Sequence, residues 1–138
     1  MKKQLTPEEI DELVYEAERI VSSVQSQLAG RSSETGRSQM SNAIDAAQQT
    51  RSIPMFINWV RYQMSREEFW KTAGDNGKTL GQMVSDFAER LKQEAQDDEG
   101  RERALEKLTL FLGFMRRALV AIKQLNAIPA QFKGGGRP

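Results

Sequence analysis

The sequence predicts an all-α protein, a five-to-six-helix bundle packed around a long C-terminal helix. Three observations predict it. Apolar residues recur at helical spacing in five separate stretches. Capping residues precede most of these stretches. No stretch shows the period-two alternation of a strand.

The first helix opens on Thr6, with Pro7 at the first helical position and Glu9 completing a Thr-x-x-Glu capping box. Ile10, Leu13, Val14, Ala17, Ile20, Val21, Val24 and Leu28 then form one apolar stripe. Glu8, Glu12, Glu16 and Arg19 are expected on the opposite, solvated face, and Gly30 closes the helix as its C-cap residue. Residues 30–37 read as a polar loop. Ser38 caps a second helix running to about Thr50, with a thin face of Met40, Ala43, Ile44 and Ala47 that permits close approach of a neighbour.

Ser52-Ile53-Pro54 starts a third helix carrying Phe56, Ile57, Trp59, Val60, Tyr62 and Met64. Phe56, Trp59 and Val60 share a face and read as core, whereas Arg61 and Tyr62 point away from it. Ser65 with Glu68 reads as another capping box, opening a short turn with Phe69 and Trp70. After a loop over 72–78, Thr79 caps a fourth helix with the stripe Leu80, Met83, Val84, Phe87 and Leu91. The last helix is expected from about Arg101 to Leu125, with Leu105, Leu108, Leu112, Met115, Leu119 and Ile122 on one side. Phe111, Phe114, Ala118 and Leu125 widen that face, which marks the central helix. A single bundle domain over 1–128 and a flexible C-terminal tail over 129–138, with Pro129 and three consecutive glycines, complete the organisation.

At 138 residues the chain is long enough for one core without staples. It contains neither cysteine nor histidine, which removes disulfides, thiolate sites, the commonest general base and the commonest metal ligand. Gly74-Asp75-Asn76-Gly77-Lys78-Thr79 resembles the end of a phosphate-binding loop, but Thr72 stands where its first glycine belongs. Asp97, Asp98 and Glu99 read as an acidic connection rather than a cation site, lacking the ligand ladder of an EF-hand. No enzyme, cofactor or metal is expected. No signal peptide or membrane span is expected either, and a cytoplasmic location fits the absence of cysteine.

Net charge is only +1, yet it is segregated. Residues 1–30 carry −3, 31–78 carry +2, 79–100 carry −4 and 101–138 carry +6. This distribution predicts one acidic and one basic surface. Arg116 and Arg117 interrupt an apolar helix, so each must reach solvent, a carboxylate or a phosphate.

Two runs, Arg37-Ser38-Gln39-Met40-Ser41-Asn42 and Thr50 through Gln63 (Thr-Arg-Ser-Ile-Pro-Met-Phe-Ile-Asn-Trp-Val-Arg-Tyr-Gln), resemble the small helical subunit of type III CRISPR effector complexes. The shared pattern is a short Ser-Gln helix start, an alanine-rich turn and an aromatic, basic segment ending near a tyrosine. With the closing 108–123 helix, the resemblance covers roughly residues 36–125. The long acidic first helix departs from the family pattern.

The resemblance implies a non-catalytic, RNA-binding part of a ribonucleoprotein complex in antiviral defence. Its implied partners are guide RNA and target RNA, the backbone and large subunits, and copies of itself. It also implies contacts from basic side chains to phosphates, here Arg37, Arg51 and Arg61. Charge placement adds Arg116, Arg117 and Lys123. A helical protein–protein adaptor or assembly factor without nucleic acid is the alternative.

Overall fold

A computed structural model describes residues 4–28 and 33–122, with the Ser33 side chain left out. Among the described residues there are five α-helices and no strand, only an isolated bridge between Ala73 and Thr79. Gly30, Lys123, Leu125 and the proposed tail over 129–138 lie outside the described residues.

Helix α1 (Pro7–Leu28) begins as its sequence directs. Thr6 Oγ1 accepts from the Glu9 backbone N–H at 3.1 Å, and the Thr6 N–H donates to Glu9 Oε1 at 2.8 Å. This reciprocal pair satisfies two N–H groups that a helix start otherwise leaves open. Leu13, Ala17, Ile20, Val21 and Val24 are buried. Glu16, expected on the solvated face, is buried too, because Arg19 and Arg90 both reach its carboxylate.

Helix α2 (Ser33–Gln49) starts five residues before the expected Ser38 cap, so most of the predicted polar loop is helical. Tertiary packing outweighs loop-like composition here. Gly36 lies against Leu119 and Phe69, where a Cβ would sit at ordinary contact distance. The small buried residues Ala43 and Ala47 then let α2 lie along α5.

Helix α3 (Ile53–Arg66) has Ser52 as its N-cap, accepting from the Met55 N–H at 3.2 Å. It runs past the expected end at Ser65. The Ser65 hydroxyl turns back to donate to the Tyr62 carbonyl at 2.6 Å, so it caps nothing that follows. The 3-10 turn at Glu68–Lys71 has Glu67 at its head, with no side-chain cap. It buries Phe69 and Trp70. Trp70 packs edge-on against Trp59 and Phe69, and Phe56 stacks on Trp59, so this aromatic group belongs to the core.

Helix α4 (Leu80–Glu94) is capped by Thr79 and buries its whole predicted stripe. The connection before it folds tightly. Gly74 N–H donates to the Lys78 carbonyl at 2.8 Å, and Gly77 takes a φ of 84°, which glycine adopts without a Cβ clash. Helix α5 (Asp98–Val120) starts three residues earlier than expected, because Asp97 caps it by accepting from the Gly100 N–H at 2.7 Å. It packs against α1, α2 and α4. Leu108, Phe111, Leu112 and Met115 on α5 have no exposed surface.

The contacts fix helix directions. Glu9 meets Arg103 and Gln25 meets Ile122, so α1 runs parallel to α5. Gly36 meets Leu119 and Ser41 meets Arg116, so α2 runs antiparallel to α5.

Candidate nucleic-acid interface

Among the described residues, ion pairs between helices join acidic and basic side chains far apart in the chain. Glu9 on α1 accepts from Arg103 at 2.6 and 2.8 Å and pairs with Lys107 at 3.1 Å. Burial raises the Glu9 carboxyl, but the Thr6 backbone N–H and these two cations outweigh it and hold its pKa at about 2. Arg90 on α4 bridges Glu12 at 3.3 Å and Glu16 at 3.2 Å. Glu9 in the acidic first block thus meets Arg103 and Lys107 of the basic last block, whereas Arg90 joins two blocks that are each net acidic. Helix packing, invisible to a linear count, brings them together.

Arginines without a carboxylate remain. Among the described residues, Arg51, Arg61, Arg66, Arg116 and Arg117 make no ion pair, whereas every other described Lys or Arg does. Four of these five are residues singled out from the sequence. Arg37, also singled out, is committed to Glu34 three residues before it in α2. That bond draws the Glu34 carboxyl down and raises the Arg37 guanidinium.

Helix α3 carries the best-formed part of the surface. Pro54, Met55, Asn58, Arg61, Tyr62, Ser65 and Arg66 are all exposed. Tyr62 keeps 55% of its surface open, which is high for a large aromatic residue. The Arg66 guanidinium lies 5.2 Å from the Tyr62 ring centroid, and its Nη1 donates to the Tyr62 hydroxyl at 3.2 Å. An exposed aromatic ring carrying the Arg66 guanidinium, on a helix that also exposes Arg61, fits contact with ribose and phosphate groups.

Arg66 was not among the residues expected from sequence. Ending the third helix at a Ser65 cap hid it. The signal that finds it is the i, i+4 spacing from Tyr62, which places both on one helix face.

Arg116 and Arg117 form a second group on α5. Arg116 Nε donates to the Ser41 hydroxyl at 2.9 Å, and Arg117 is exposed with its guanidinium 5.9 Å from the Phe114 ring. Ser41 lies four residues after Arg37 on α2, so the structure brings Arg37 and Arg116 to one neighbourhood. Arg51 stands apart, near Arg101 at the other end of α5, about 20 Å along α2 from Arg37 at 1.5 Å per residue. Lys123 lies outside the described residues.

Among the described residues, no three Asp or Glu side chains converge to hold a metal ion. Asp97 is spent on its helix cap and Asp98 pairs with Arg101. No described helix is long and apolar enough to cross a membrane. Comparison of the chain with protein-family models, curated proteins and solved structures finds no match.

Proposed function

We propose that this chain is a non-catalytic small subunit of a type III CRISPR RNA-guided effector complex, contacting the backbone of the guide RNA–target RNA duplex and neighbouring subunits. The observation that supports RNA contact is the set of arginines that make no ion pair among the described residues, with Arg66 over the exposed Tyr62 ring and Arg61 exposed on the same helix. The identity of the complex rests on the sequence resemblance alone. Arginine–phosphate contacts carry no base information, which suits a subunit that must accept any guide. The surface is divided between α3 and α5, as expected of a small protein that touches RNA through one face and a subunit through another.

A helical adaptor without nucleic acid is the second reading. It is favoured by Leu110 and Val120, which are 36% and 50% exposed on α5.

The deciding experiment is purification of the tagged chain from its native host, with sequencing of co-purifying RNA and identification of co-purifying proteins. The proposal expects repeat-derived guide RNAs and effector subunits in stoichiometric amounts. Protein partners without RNA would establish the adaptor reading instead.

A further inference from the structure

A cleft of about 380 Å³ opens where the start of α3, the end of α4 and the first turns of α5 meet. Its floor is aliphatic, made by Ile53, Pro54, Ala95, Ala104 and Leu105. Three cations, Arg51, Lys92 and Arg101, stand around it, and no carboxylate lines it. The volume lies within the roughly 300–1,000 Å³ typical of small-molecule sites.

The three cations are weakly committed elsewhere. Arg51 makes no ion pair among the described residues. Lys92 reaches Glu89 only at 3.5 Å. Arg101 pairs within its own helix with Asp98, whose side chain is 97% exposed, so water screens that attraction. Positive charge is not general to clefts of this protein. A second cleft, of about 280 Å³, is lined by Glu8, Glu9, Glu12 and Glu94 together with Lys107, Leu13 and Leu91. No aromatic side chain lines the basic cleft, so it offers no platform for stacking a base. Its chemistry instead matches a saturated chain ending in an anion. The α3 N-terminus adds the positive end of a helix dipole.

We propose that this cleft binds an aliphatic anion of medium length, a carboxylate or an alkyl phosphate. Its chain lies on Ile53, Pro54 and Leu105, and its head group meets Arg51 and Arg101. The inference does not rest on RNA binding: Arg51 is shared with the arginines proposed for RNA, whereas Lys92 and Arg101 belong to this cleft alone.

The test is an NMR titration of the isotope-labelled full chain with decanoate, decyl phosphate and decyltrimethylammonium. Saturable shifts at Ile53, Ala104 and Leu105 are expected with the anions and not with the cation. The tighter-binding anion identifies carboxylate or phosphate as the natural head group. Arg101→Gln should weaken anion binding roughly threefold to tenfold, as expected for a charge-assisted contact at an exposed rim. Arg101 is solvent-exposed, so circular dichroism should show an unchanged fold. The proposal is overturned by absent binding, by shifts scattered over the surface, by equal binding of the cation, or by Arg101→Gln leaving affinity unchanged.

Discussion

The buried indole of Trp70 donates its N–H to Gln39 Oε1 at 3.1 Å, tying the 3-10 turn to α2 across 31 residues of chain. Gln39 is part of the Ser-Gln run that resembles the CRISPR small subunit, and its structural task is to satisfy a polar group inside the aromatic core.

Gln39→Leu should therefore destabilise the fold by about 1–3 kcal/mol, the cost of leaving a buried donor unpaired. Urea unfolding followed by Trp fluorescence measures it. An unchanged midpoint would mean that water replaces Gln39 at the indole.

Two carboxylates on α1 give opposite pH dependences. Glu9 has a depressed folded pKa of about 2. Its contribution is present above the ordinary carboxylate pKa and is lost as pH falls from there toward 2. Burial pushes the Glu18 carboxyl up, and its Oε2 is buried without a hydrogen-bond partner. Its contribution is full at low pH and is lost as pH rises through the raised pKa. Glu9→Gln should lower the melting temperature at pH 7 and flatten the acid limb. Glu18→Gln should raise it at pH 7 and have little effect at pH 3. Thermal unfolding across pH checks both.

Two helical glycines should respond in opposite directions to alanine. A Cβ at Gly113 meets nothing within 4 Å, so Gly113→Ala should stabilise by about 0.5–1 kcal/mol through helix propensity. A Cβ at Gly81 would lie 2.5 Å from Met64 Cγ and 3.1 Å from the Trp70 carbonyl oxygen. Gly81→Ala should destabilise by about 1–3 kcal/mol, the range for overpacking. Denaturant midpoints of the two variants decide this.

If the chain binds RNA duplexes through its unpaired arginines, Arg61→Gln, Arg66→Gln and Arg117→Gln should each lower the slope of log affinity against log salt by about one unit or less. The loss should be the same for unrelated guide sequences. Arg37→Gln should cost less, because Glu34 already occupies that guanidinium. Fluorescence anisotropy with labelled duplexes at several salt concentrations measures this. Equal slopes for the wild type and for a variant combining Arg61→Gln, Arg66→Gln and Arg117→Gln would remove these arginines from the interface.

The sequence by itself determined the helical class, the Thr6–Glu9 and Thr79 caps, the start of α3 at Ser52-Ile53-Pro54, the buried stripe of α4 and most of those of α1 and α5. These depend on residues within a few positions of one another, where side-chain spacing and backbone hydrogen bonding settle the outcome. It also located four of the five unpaired arginines. Only the tertiary structure decided which charges remain available. Arg103 and Lys107 lie almost a hundred residues from Glu9, and Arg90 more than seventy from Glu12 and Glu16, so linear patterning could not anticipate their pairing. The early start of α2 has the same origin, since Gly36 lies against Leu119, more than eighty residues away. Local signals decide where helices form. Packing brings distant charges within a few ångströms, where Coulomb attraction is strong enough to hide some and leave others exposed.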